Sequence, residues 1–150
     1  MLETRLKEDE MAKGTVREAM TSSPTSITSD ASALEAARLL SSEDVGSLPV
    51  VEEGKLVGMV TDRDLVVRVL AKDLDPHEVQ VADVCSDDPV VAAADEELDA
   101  ALVRMATEQV RRLPVVEGDR LVGILAQADV ARTAQPASTG AMVEKISEDS

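Results

Sequence analysis

Two stretches of the chain spell nearly the same sequence: PVVEEGKLVGMVTDRDL from Pro49 and PVVEGDRLVGILAQADV from Pro114, 65 residues further on. The offset holds without a gap through Val16/Val81, Pro24/Pro89, Asp30/Asp95, Ala36/Ala101, Glu43/Glu108, Val45/Val110, Leu48/Leu113, Gly58/Gly123 and Asp64/Asp129. Matches sustained at one spacing mark an internal duplication, and each copy must then fold as the same supersecondary unit. The repeat restricts the architecture before any single residue is interpreted. It is a βαββα-like unit written twice, α+β in class.

Periodicity supplies the elements of one copy. Residues 16–20 read as a short helical lead-in, and 25–27 as an extended stretch opened by Pro24. Asp30 or Ser32 can cap a helix running to about Ser42. Its apolar face is Ala33, Ala36, Ala37 and Leu40, at i, i+3, i+4 and i+7, and copy two repeats it as Leu98, Ala101, Leu102 and Met105. Strands at 48–51 and 56–60 flank a short turn with Gly54, so they form a hairpin. Thr61 or Asp62 caps a closing helix over 62–70. Copy two gives strands at 113–116 and 121–125 and a helix from Gln127 to about Arg132. Between the copies, Asp75 followed by Pro76 predicts a helix starting at His77. The organisation expected is a charged leader at 1–14, repeats at 15–71 and 80–133 joined by a link at 72–79, and a flexible tail at 134–150.

Composition narrows the function classes. The 150 residues carry 30 acids against 15 lysines and arginines, a formal net charge of -15. Such a field repels phosphate backbones and anionic membranes over about a Debye length, ~8–10 Å, so neither nucleic acid nor membrane is an expected partner. No run reaches the ~18 apolar residues of a membrane span, and residues 1–13 lack an apolar stretch of signal type, which makes the cytoplasm the expected location. One cysteine, Cys85, and one histidine, His77, leave no internal disulfide and no cysteine- or histidine-rich metal site. Cys85 falls where copy one has Met20, which assigns it to packing. His77 reads as a surface residue. No nucleophile–base–orienter set is visible, so the chain reads as a binder rather than an enzyme.

The chemistry concentrates in Gly58-Met-Val-Thr61-Asp-Arg63-Asp64. Gly58 permits close backbone approach on a strand. Thr61 sits at a strand-to-helix junction, and Asp64 follows one turn later. Free helix amides, a hydroxyl and a carboxylate make a polar clamp, with the carboxylate suited to a ribose diol. A capping box, Thr-x-x-Asp, accounts for the same residues without any ligand. Local sequence leaves both open.

The doubled pattern Val-x-x-Leu-Pro-Val-Val, turn, Leu-Val-Gly-x-x-x-x-x-Asp resembles a pair of cystathionine-β-synthase (CBS) domains, from Val16 to about Arg132. GMVTDRDL, LDP and VRRLPVVEGDRLVGI are most similar to small stand-alone actinobacterial CBS-pair proteins, hypoxia-response types included. The resemblance implies two βαββα repeats packed as a pseudo-twofold pair, a homodimer, and inter-repeat clefts for an adenosyl ligand such as AMP, ATP or S-adenosylmethionine, with no cofactor required. It implies that Asp64, and Asp129 in copy two, hold ribose, that Thr61 touches ribose or phosphate, and that Arg111 and Arg112 contact phosphate. Arg63 belongs to the same motif, and the backbone of Thr25, Ser26 and Ile27 would meet the base. Copy two departs from the pattern: Ala126 stands for Thr61 and Ala128 for Arg63, whereas Arg111-Arg112 replace Gly46-Ser47. With no Phe, Tyr or Trp in the chain, an adenine would lie between aliphatic side chains, with Met59, Ile27 and Ile124 as candidates. The expected function is a regulatory sensor of an adenine nucleotide. Its rival is a ligand-free, stress-related module that binds an unknown protein partner.

Overall fold

The computed structural model describes residues 14–134. In chain order its elements are α1 (Val16–Ala19), β1 (Thr21–Ser22), β2 (Ile27–Thr28), α2 (Ala33–Glu43), β3 (Ser47–Glu52), β4 (Lys55–Thr61), α3 (Asp62–Leu65) continued by a π turn (Val66–Leu70), a 3-10 turn (Val81–Asp83), β5 (Ala92–Ala93), α4 (Leu98–Glu108), β6 (Arg112–Glu117), β7 (Arg120–Ala126) and α5 (Gln127–Ala134). Apart from Gly14 and Ala134, the expected leader and tail lie outside the described residues.

The chain divides into two compact units. The first-copy unit is Thr25–Pro89 with Asp119–Leu121. In it β2 runs parallel to β3, with Ile27 opposite Val50, and β3 runs antiparallel to β4 from Ser47 opposite Thr61 to Glu52 opposite Lys55. The buried positions of β3 and β4, among them Leu48, Val50 and Val60, meet Ala33, Ala36 and Leu40 of α2. Each fully buried Leu or Val contributes on the order of 1.5–3 kcal/mol relative to exposure. Ala37, expected on that face, is exposed, and Leu39 packs against the core instead. The cap is Ser32, whose side chain accepts from the Glu35 amide at 3.1 Å. The helix ends with Asp44 in the left-handed region at φ 54°, and the Val45 amide reaches back to the Leu40 carbonyl, a Schellman closure.

The second-copy unit is 14–24, 90–118 and 122–134 within the described residues. Here β5 runs parallel to β6, with Ala92 opposite Val115, β6 bonds to β7, and β1 pairs antiparallel with β7. Leu98, Ala101 and Met105 of α4 are buried against Leu113, Val115, Leu125 and Val130, and Gln109 closes the helix as Asp44 does in the other copy.

The lead-ins are exchanged between the copies. Val16, at the start of copy one, is fully buried in the core of the second-copy unit, and Val81 and Val84 of copy two are buried in the first-copy core. The bonds that fix them repeat at the 65-residue offset. Val16 N–H donates to the Glu96 carbonyl and Val81 N–H to the Ala31 carbonyl; Leu98 N–H donates to Gly14 and Ala33 N–H to Val79. The lead-in carbonyls thus satisfy amides that a helix start leaves without an intrahelical partner. Arg17 adds ion pairs to Asp95, at 3.1 Å, and to Glu117.

Two expected helices take other forms. The closing helix of copy one is α-helical only to Leu65. Ala71 N–H then bonds the Val66 carbonyl five residues back, and three β-branched valines in this stretch disfavour regular helix. The helix expected at His77 is a single turn. The Asp75 side chain does accept from the His77 amide at 2.9 Å, but the Pro76 and Val79 carbonyls accept from Leu34 and Ala33 at the start of α2, and Gln80 pairs with Ser32. Those tertiary bonds draw the chain out before a second turn can form.

Candidate functional site

The β4–α3 junction assembles the motif singled out in copy one. Asp62 N–H donates to the Gly46 carbonyl at 3.0 Å, which turns the chain from strand into helix. Thr61 is the N-cap: its hydroxyl accepts from the Asp64 amide at 3.0 Å, and Asp64 Oδ2 accepts from the Thr61 amide at 2.9 Å. The capping box is therefore formed. It occupies one lone pair of one Asp64 oxygen. The other oxygen, Oδ1, lies 3.8 Å from Arg68 Nε, and Arg68 Nη1 donates to the Val84 carbonyl at 3.2 Å. A carboxylate has about four acceptor positions, so this one keeps acceptor capacity while its orientation is held from two sides. The Asp64 side chain is 18% exposed. Arg63 is exposed, with its amide bonded to Asp62.

Gly58 is filled by the chain itself. A Cβ there would run into the Ser86 carbonyl oxygen and lie 3.1 Å from Cys85 Sγ. Met59 and Ser86 exchange two backbone bonds, at 3.1 and 2.9 Å. The close approach inferred from the glycine is that of the second lead-in. Cys85 packs at the edge of the first-copy core, and burial pushes its thiol above the usual value, with Asp64 and Asp87 adding to the rise. The protonated thiol is a poor nucleophile.

The remaining candidates divide between side chain and backbone. Thr25 donates its hydroxyl to Glu43 at 2.6 Å, Ser26 is half-buried, and the Ile27 side chain is in the core, leaving the 25–27 backbone as the polar edge. Met59 is half-buried, whereas Ile124 is 4% exposed and is committed to packing.

In the second-copy unit the same junction is built without the box. Gln127 N–H donates to the Arg111 carbonyl at 2.8 Å, as Asp62 does to Gly46, but Ala126 offers no hydroxyl. Asp129 is half-buried and acts on Arg112 of β6: burial lowers the guanidinium pKa, and the Asp129 charge opposes that fall. The Arg111 side chain is exposed. Two residues that sequence inspection passed over, Arg68 and Val84, complete the copy-one site. The i, i+4 spacing of Asp64 and Arg68 was a readable signal. The Val84 carbonyl was not, because it arrives through the exchanged lead-in. His77 is exposed, and its ring Nδ1 lies 3.1 Å from Asp75. Among the described residues no group of three or more His, Cys, Asp or Glu could hold a metal ion, and no helix is long and apolar enough to cross a membrane.

Comparison with known proteins agrees with the repeat. The CBS-domain family model matches twice, at 16–71 and 81–135. The CBS domain-containing protein YhcV of Bacillus subtilis is 39% identical over 116 residues, which cover 77% of this chain and 82% of that protein. Among solved structures, Hypoxic Response Protein I with two coordinated zinc ions is 34% identical with a TM-score of 0.72, covering 79% of this chain and 98% of the other. CBSX2 in complex with AMP is 30% identical with a TM-score of 0.71, covering 83% and 98%. With both copies matched and the fold shared, the chain belongs to the CBS-domain family as a tandem pair of α+β repeats.

Proposed function

We propose that the chain is a regulatory module that binds an adenine nucleotide at the Thr61–Asp64 junction and signals as a homodimer. The observation that carries this reading is the oriented Asp64 carboxylate on a strand-to-helix turn, in a chain whose structural relative CBSX2 holds AMP. Asp64 accepts the ribose diol with its remaining lone pairs. The Thr61 hydroxyl and the exposed Arg63 serve ribose and phosphate oxygens. The 25–27 backbone reads the base edge, and Met59 covers one face. The second junction, with Asp129, Arg111 and Arg112 but no hydroxyl, binds more weakly and favours the phosphate end. Ligand acts by shifting populations between module states, to the extent of its differential affinity for them. Val66, Val67 and Leu70 are 55%, 45% and 63% exposed on one short stretch, an apolar patch suited to a second copy of the chain.

The test is calorimetric titration of AMP, ADP, ATP and S-adenosylmethionine into ligand-free protein, since the chain has no tryptophan to report binding. Saturable binding whose tighter component Asp64→Ala abolishes and Asp129→Ala spares is the expected result. Silence across all four compounds overturns the sensor reading and leaves a ligand-free interaction module.

A further inference from the structure

We propose that a cavity beside the π turn, which adjoins the Asp64 junction through Arg68 and Val84, is a site for an aliphatic amino acid in its zwitterionic form. The cavity, about 550 Å³, lies wholly in the first-copy unit and is lined by Arg68, Lys72, Leu74, Val79, Asp83 and Val84. That volume is within the range of small-molecule sites, about 300–1,000 Å³. Lys72 and Asp83, both exposed, bring opposite charges to this lining, and among the described residues neither side chain has an ion pair or hydrogen bond, with each other or with a third group. Arg68 is held in place by the Val84 carbonyl and by Asp64. Leu74, Val79 and Val84 supply an aliphatic wall, with Leu74 left 46% exposed.

The charge pattern selects the ligand. A simple anion would be attracted by Lys72 and Arg68 but repelled by Asp83, and a simple cation would meet the reverse. An α-amino acid carries both charges on one carbon: its carboxylate faces Lys72 and Arg68, its ammonium faces Asp83, and its side chain covers the aliphatic wall. At the 65-residue offset Arg68, Lys72 and Leu74 correspond to Thr133, Ala137 and Thr139, so the copy-two sequence repeats neither cation. The proposal does not depend on Asp64 binding a nucleotide.

L-leucine titrated into the full chain, followed by amide nuclear magnetic resonance shifts, tests it. Saturable shifts centred on Lys72, Leu74, Val79 and Asp83 are expected. Lys72→Gln and Asp83→Asn each weaken binding about fivefold, the scale of one exposed ion pair, with unchanged thermal unfolding. 4-Methylpentanoate, which lacks the ammonium, and inorganic phosphate bind more weakly than leucine. The proposal is overturned by the absence of saturable shifts, by shifts that persist in the double variant, or by inorganic phosphate binding as well as leucine, which would make this a plain anion site.

Discussion

The β4–α3 and β7–α5 junctions share a backbone and differ in what holds their carboxylate. Each has a glycine against the other copy's lead-in, a first helical amide on the carbonyl two residues before the Leu-Pro pair, and an aspartate three residues past the cap position. In copy one, the Thr61 hydroxyl and amide, with Arg68 behind, orient Asp64. In copy two, Asp129 is set against the half-buried Arg112 of the preceding strand. Positions that place backbone against backbone repeat, whereas the side chains that decide charge and acceptor geometry diverge. One backbone scaffold thus presents two junctions of different chemistry.

The glycines offer the harshest test of that equivalence. Gly58→Ala drives a Cβ into the Ser86 carbonyl and breaks the Met59–Ser86 pairing, which should cost about 3 kcal/mol, the upper part of the overpacking range. At Gly123 the nearest atom is the flexible Met20 Sδ, with the Thr21 carbonyl oxygen at 2.9 Å, so Gly123→Ala should cost about 1–2 kcal/mol. Urea unfolding followed by far-ultraviolet circular dichroism measures both. Equal losses would mean that the two lead-ins are seated with equal rigidity.

A second asymmetry is the ion pair in the second-copy unit. Arg104 bonds both Glu96 oxygens, at 2.6 and 2.8 Å, and copy one has Leu39 and Ala31 in their places. Arg104 is 35% exposed, so screening limits the value of the pair, and Arg104→Leu should cost about 1–2 kcal/mol. Adding Glu96→Ala, which recreates the copy-one residues, should recover part of that loss. Arg104 holds the Glu96 carboxyl below its usual 4.5. A carboxyl lowered on folding stabilises fully above that unfolded value and loses its contribution as pH falls through the lower folded value. The wild type should therefore lose stability more steeply below about pH 4.5 than the double variant. Parallel pH–stability curves would rule this source out.

The smallest effects are expected at the caps. Thr61→Ala imitates copy two and should cost about 1 kcal/mol. Ala126→Thr would give Asp129 a box partner and should stabilise by about 0.5 kcal/mol, read as a shift of the urea midpoint. A loss at Ala126→Thr would show that Asp129 is not free to leave Arg112.

Much of this was legible in the residues. The 65-residue repeat, the βαββα order, the hairpins and the buried faces Ala33/Ala36/Leu40 and Leu98/Ala101/Met105 follow from periodicity, because burial against a sheet imposes a spacing that one copy shows and the other repeats. The Thr61–Asp64 pairing was also local enough to read, since three residues on a helix start are always neighbours. The helix expected at His77 failed because local capping signals could not foresee Pro76 and Val79 giving their carbonyls to α2. Likewise, the residue that needs the space at Gly58 is 28 positions away in sequence, and the carbonyl that anchors Arg68 is 16 away. By itself the sequence determined which elements form and which polar groups sit at each junction, since both depend on spacing within a turn or a strand. Only the tertiary structure decided that the lead-ins change places, what surrounds Asp64, and which opposite charges share a cavity, since those depend on long-range contacts that no local pattern encodes.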